Sequence, residues 1–165
     1  MHKEPKVSEV ERKKSEDLIN ASESRYRRLF EAAREGILLL DAETGQIVDG
    51  NPFLIEMLGY SKKEILGKKL WEIGLFKDVA ASKQSFTALQ SEKYVRYEDL
   101  PLERKDGKLI SVEFISIVYD VDNKKVIQCN IRDITDRKII EEELAQAAER
   151  DSAFSILASK LLSSI

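Results

Sequence analysis

The sequence predicts an α+β domain of about 100 residues between two long helices. Three observations carry this: the distribution of glycine, a change of hydrophobic period along the chain, and the placement of turn signals. All seven glycines fall between residues 36 and 107 of the 165. Residues 7–34 and 135–165 contain neither glycine nor proline, and their apolar residues recur at helical spacing. Between them the order reads as two strands, a run of short helices, and three antiparallel strands.

The first helix is announced by Ser8-Glu9-Val10-Glu11, which has the form of a capping box. Leu18, Ala21, Tyr26, Leu29, Phe30 and Ala33 form its apolar stripe, and the serines at 22 and 24 mark where it would break. Gly36-Ile37-Leu38-Leu39-Leu40 is apolar on both faces, so it reads as a strand covered on both sides. A turn at Asp41-Ala42-Glu43-Thr44-Gly45 leads to a second strand, Gln46-Ile47-Val48-Asp49. Asn51-Pro52 then pairs a strong N-cap residue with proline at the first helical position. Phe53, Leu54, Met57 and Leu58 make that helix amphipathic, and Gly59 ends it.

Ser61-Lys62-Lys63-Glu64 is a second capping box, with Tyr60 and Ile65 at the spacing of a hydrophobic staple. Gly67 closes that helix, and Leu70-Trp71-Glu72-Ile73 reads as one further turn. A longer helix is expected from Phe76 to Gln90, with Phe76, Val79, Ala80, Phe86 and Leu89 as its stripe. Three strands follow, from Tyr94 to Arg104, Leu109 to Tyr119 and Val126 to Arg132. Asp106-Gly107 and Asp122-Asn123 supply the turns between them. Ile127, Cys129 and Ile131 alternate with Gln128, Asn130 and Arg132, so the last strand has one apolar face.

Composition excludes several function classes. Lys+Arg 27 against Asp+Glu 30 gives a net charge of −3, which argues against a dedicated nucleic-acid binder. The longest aliphatic run, Ile37 to Leu40, is far too short to cross a bilayer. The first residues carry no apolar segment of a secretory signal, and the one cysteine suits a reducing compartment, so a cytoplasmic location is expected. His2 is the only histidine, which removes His-based triads and multi-histidine zinc sites. Gly67-Lys68-Lys69 lacks the glycine spacing and the Ser/Thr of a phosphate loop. Glu98-Asp99 and Glu141-Glu142-Glu143 read as solvated faces. No catalytic or metal site is expected in this chain.

Six segments in order resemble the PAS domain family: Gly36 to Asp41, Gly45 to Phe53, Met57 to Ser61, Ile65 to Gly67, Arg104 to Gly107, and Arg132-Asp133-Ile134-Thr135-Asp136-Arg137-Lys138. The resemblance covers about Ser24 to Lys138. It implies a five-stranded antiparallel sheet in order 2-1-5-4-3 with small helices over one face. It also implies a division into a flanking helix or linker at 1–23, the PAS domain at 24–134 and a signalling helix at 135–165. Its members sense small molecules, light, redox state or oxygen and pass the signal through flanking helices, most often to a histidine kinase.

The resemblance places a ligand between the inner sheet face and the middle helices. The implied lining is Leu38, Leu40, Val48, Ile127, Cys129 and Ile131 from the sheet, with Ile55, Leu58, Ile73, Phe76, Val79 and Phe86 from the helices. Gly50 would leave room beside the second strand. Residues 51–55 lack the cysteine of photosensing flavin relatives, and the long helix lacks the histidine of haem relatives. A hydrophobic small molecule, or no ligand at all, remains. The exit segment implies signal transfer through Asp133, Thr135 and Arg137. Asp133, on the face of Ile131, needs a cation or backbone donors, for which Arg137 and Lys138 are candidates. Thr135 is expected to cap the following helix.

Along that helix Ile140, Leu144, Ala147, Asp151, Phe154, Ala158, Leu161 and Ile165 alternate at spacings of four and three, the pattern of a coiled-coil seam. A homodimer through the flanking helices is one reading. The other is that this face packs back onto the outer side of the sheet, over Ile37 and Leu39. A downstream kinase or GAF domain in the same natural chain is the expected continuation.

Overall fold

A computed structural model of the chain describes residues 8–74 and 79–164, without the side chains of residues 79–82. The expected helix start at Phe76, the pocket roles of Phe76 and the Val79 side chain, and Ile165 lie outside the described residues. Helix α1 (Glu9–Ala32) is followed by β1 (Gly36–Asp41), β2 (Ile47–Gly50), α2 (Pro52–Leu58) and α3 (Lys62–Ile65). A 3-10 turn at Leu70–Glu72 precedes α4 (Val79–Glu92), then β3 (Tyr94–Glu103), β4 (Leu109–Val121), β5 (Lys124–Asp133) and α5 (Thr135–Ser163). The five strands form one antiparallel sheet in the order β2-β1-β5-β4-β3, as expected.

Local chemistry explains most boundaries. The Ser8 and Ser61 capping boxes are both formed, and the Asn51 side chain accepts from the Leu54 amide at the start of α2. Gly59 ends α2 at φ 77°, a conformation that a side chain would strain. Asp122 and Asn123 stand at φ 48° and 63°, which lets two residues alone reverse the chain between β4 and β5. This tight turn is why β5 begins at Lys124, ahead of the expected Val126. Helix α1 runs unbroken through the serines at 22 and 24, because serine costs an exposed helix only a few tenths of a kcal/mol.

The core lies between the inner sheet face and the short helices. Leu38, Leu40, Ile127, Cys129 and Ile131 face Leu54, Leu58 and Ile65, and all are essentially inaccessible to solvent. Burying each such aliphatic side chain contributes roughly 1.5–3 kcal/mol. The flanking helices differ from this. In α5, Ile140, Leu144, Phe154 and Leu161 remain 56%, 65%, 75% and 69% exposed, so this helix does not fold back over the sheet. Val10, Leu18 and Leu29 of α1 are likewise exposed.

Strand β2 corrects one expectation. Leu38 pairs with Gly50 and Leu39 with Asp49, but Leu40 pairs with Ile47, so Val48 is the extra residue of a bulge. The bulge lets Ile47 and Gly50 both face inward. Ile47 is 2% exposed and Val48 59% exposed, so Val48 does not line the inner face. In a two-face strand, one extra residue moves its side chain to the opposite face.

Candidate functional site

The register of β1, β5 and β4 assembles the expected sheet wall. Leu38 stands opposite Cys129, Leu40 opposite Ile127, and Ile131 opposite Phe114. Leu58 and Ile73 close over it and are buried, while Phe86 is half-buried at the edge of α4. Ile55 packs against this cluster only from its margin and is half-buried. It also lines an open groove of about 640 Å3 with Tyr26 and Phe30 of α1, while Leu54 takes the fully buried position on the sheet side of α2. Leu54 and Leu58 are four residues apart, one above the other on a helix face, and this spacing identifies the inward pair. Gly50 leaves no gap either. A Cβ there would lie 3.3 Å from both Ile65 Cδ1 and Leu54 Cδ2, so its missing side chain is used for close helix packing.

One polar pair sits within this apolar wall. Ser116 Oγ donates to Cys129 Sγ at 2.9 Å, and both residues are buried. Ser116 escaped the sequence reading because only its cross-strand position opposite Cys129 gives it a role. Burial pushes the Cys129 thiol up to about 12, while the Ser116 hydrogen bond acts the other way. The thiolate is the reactive form, so at pH 8 the folded thiol should react with a water-soluble disulfide reagent at least a hundredfold more slowly than the urea-unfolded chain. Equal rates would mean that the wall opens to solvent. Because this pKa is raised, its contribution to stability is full below the unfolded thiol's value and is lost as pH rises through that of the folded thiol.

The junction with α5 is built differently from expectation. Asp133 is exposed, and it is Ile134 that turns into the core, with its amide donating to Ser111 O at 2.8 Å. Asp133 Oδ1 accepts from the Thr135 amide at 2.9 Å and from its hydroxyl at 2.6 Å. Asp133 therefore provides the side-chain acceptor for the first turn of α5, the part assigned above to Thr135. Thr135 Oγ1 instead accepts from the Ser111 amide at 3.1 Å, tying the helix to β4. Arg137 reaches Glu141 at 3.5 Å and not Asp133. Lys138 meets Asp99 of β3 at 2.6 Å, which holds the ammonium above its ordinary range. The side chain that crosses to the sheet is thus Lys138, 39 residues from its partner.

The entry side has its own knot. Asn51 is fully buried and uses its whole amide. Its Oδ1 accepts from the Ile37 amide at 2.9 Å and the Leu54 amide at 3.0 Å. Its Nδ2 donates to Glu35 O at 2.9 Å and Phe30 O at 3.1 Å. The same residue thus joins α1, β1 and α2. Beside it the Glu35 carboxylate binds Arg132 of β5, whose hydrogen bond holds Glu35 below the usual carboxylate range. Glu113 then links Arg132, at 3.9 Å, with Arg96, at 2.7 Å. An ionic row therefore runs from the end of α1 across β5 and β4 to β3.

Among the described residues no group of three His, Cys, Asp or Glu side chains is placed to hold a metal ion. Among them also, no helix is long and apolar enough to cross a membrane.

Known proteins share this fold. The PAS domain family model matches residues 34–136. The chain is 29% identical over 137 residues to the methyl sulfide methyltransferase-associated sensor of Methanosarcina acetivorans, covering 83% of this chain and 13% of that protein. It is 26% identical over 137 residues to the diguanylate cyclase DgcM of Escherichia coli, covering 80% of this chain and 32% of the relative. The chain thus spans a third or less of the length of these relatives. Among solved structures, the PAS domain of an HTR-like protein from Haloarcula marismortui superposes with a TM-score of 0.64 at 28% identity, covering 74% of this chain and 99% of that one. The PAS domain of Bordetella pertussis BvgS shares the fold with a TM-score of 0.56 at 21% identity, covering 79% and 99%. With the family match spanning well over half its length, the chain belongs to the PAS domain family.

Proposed function

We propose that this PAS domain is the non-catalytic sensory relay of a larger cytoplasmic signalling protein, joined through α5 to an output domain, a histidine kinase being the foremost choice. The observation that carries this reading is the pairing of a packed domain with two helices most of whose apolar residues are left uncovered, Phe30 of α1 being buried. A single residue, Ile134, separates β5 from α5, which is tied to β4 and β3 by Thr135 and Lys138, so a displacement of the sheet moves the helix with it. The sensor and the cyclase among the relatives are multidomain contexts of the kind this reading requires. The seam of Ile140, Leu144, Phe154 and Leu161 is the homodimer contact in this reading.

The test is sedimentation velocity on the full chain at tens of micromolar. The wild type is expected to be a dimer, and Leu144→Glu with Leu161→Glu a monomer of unchanged melting temperature. Those leucines are exposed in the single chain, so the charges cost the fold little. A monomeric wild type would refute the helical dimer. A second reading, a ligand-free dimerisation and interaction module, is favoured by the side chains that fill the space behind Gly50.

A further inference from the structure

The turn between β1 and β2, the 3-10 turn and α4 border an open groove of about 500 Å3. Thr44, Gln46, Lys69, Trp71, Lys83 and Phe86 line it, with Glu43 as the one carboxylate among the described lining residues. It is shaped by specific packing. The Trp71 and Phe86 rings meet edge to face, with centroids 5.8 Å apart and an angle of 62°. Gly45 stands at φ 73°, and a Cβ there would come within 3.2 Å of the Phe86 ring and 3.4 Å of the Trp71 ring. The two rings therefore close directly on bare backbone. Lys69 is held beside the turn by its backbone bridge to Gln46.

Among the described residues the charges of this groove are unbalanced, with two lysines against one glutamate. The ammonium of Lys69 lies 5.4 Å, and that of Lys83 5.9 Å, from the centroid of the same Trp71 ring. Neither is ion-paired with a carboxylate among the described residues. Both ammoniums lie beside the same half-buried indole, whose ring quadrupole compensates their charge only in part. An anion bound beside the ring meets cations that have no carboxylate partner among the described residues. A planar ring attached to that anion gains a stacking surface on the indole, while the exposed Gln46 side chain offers a neutral amide for its substituents.

We propose that this groove binds a small planar aromatic anion, its ring against Trp71 and its carboxylate or phosphate between Lys69 and Lys83. Aromatic carboxylates and purine nucleoside monophosphates share this chemistry. The proposal stands apart from the relay reading, because it concerns binding alone and leaves the α5 seam untouched.

Trp71 is the only tryptophan in the chain, so its emission reports the site directly. The full chain is titrated with 4-hydroxybenzoate and with adenosine 5′-monophosphate; phenol, adenosine and inorganic phosphate serve as controls. At least one aromatic anion is expected to quench Trp71 saturably with a midpoint below about 1 mM. Its neutral counterpart should be at least tenfold weaker, and Lys69→Gln with Lys83→Gln should raise the midpoint at least tenfold without changing the melting temperature. Whichever of the two probes binds identifies the acidic group. The proposal is overturned if neither probe quenches saturably, or if the neutral compounds bind as well. Displacement by phosphate alone at equal concentration, or an unchanged midpoint in the double variant, overturns it equally.

Discussion

Asn51→Leu should lose about 3–5 kcal/mol of stability. The side chain is of similar size but makes none of the four hydrogen bonds of the native amide. It leaves the amides of Ile37 and Leu54 and the carbonyls of Phe30 and Glu35 without their partner. An unsatisfied buried group costs about 1–3 kcal/mol, and partial access of water near half-exposed Glu35 keeps the total below the simple sum. Asn51→Asp divides the knot in two. A carboxylate still accepts from Ile37 and Leu54, and it suits the N-terminus of α2. It faces the carbonyls of Phe30 and Glu35 with an oxygen where they need a donor. Urea melts should place Asn51→Asp between the wild type and Asn51→Leu. Limited trypsin digestion should cut Asn51→Asp after Arg34 several-fold faster than the wild type, as the end of α1 is released. Wild-type resistance in Asn51→Asp would show that α1 is held to the domain by other means.

The two ends of that knot were not equally legible. The Leu54 amide lies three residues from Asn51, and Asn-Pro before an amphipathic run is a local cap signal. Phe30 and Glu35 lie 21 and 16 residues away, and nothing near Asn51 in the chain encodes them. The same division holds elsewhere. Both serine capping boxes, the glycine stop at 59 and the Asp-Gly turn were readable because each is complete within a few residues. The face of β5 was readable because its alternation runs cleanly from Val126 to Arg132. The strand order came from family resemblance, since alternation says which face is apolar and not which strand is the neighbour. Val48 failed because a bulge in a four-residue strand leaves no signal when both Ile47 and Val48 are apolar. Asp133 and Lys138 failed for a related reason. The chain turns at Ile134, so strand alternation stops one residue before it would have buried a charge, and Asp99 is brought to Lys138 only by the sheet. Phe76 and Val79 lie outside what the structure describes.

Leu38→Ala should cost about 2–5 kcal/mol, whereas Val48→Ala should stay within about 0.5 kcal/mol of the wild type. The two residues were expected to line the same pocket, and the bulge separates them. Leu38 is fully buried on β1, opposite Cys129 on one side and Gly50 on the other. Its Cδ1 would lie 3.6 Å from a Cβ at Gly50, so truncation opens space next to Leu54 and Ile65 that neighbouring side chains fill only partly. That space is lined by aliphatic carbon and should stay dry, as apolar cavities do, and so accept a small apolar molecule. Saturating benzene should therefore raise the melting temperature of Leu38→Ala and leave that of the wild type unchanged, because a ligand that binds only the folded state stabilises it by mass action. Stabilisation of the wild type as well would mean that the inner wall already holds a ligand-sized opening, and the sensory reading would gain a pocket. A loss below 1 kcal/mol for Leu38→Ala would mean that the helices collapse onto the sheet easily. The inner wall would then be too compliant to transmit strain to Ile131 and, through Ile134, to α5.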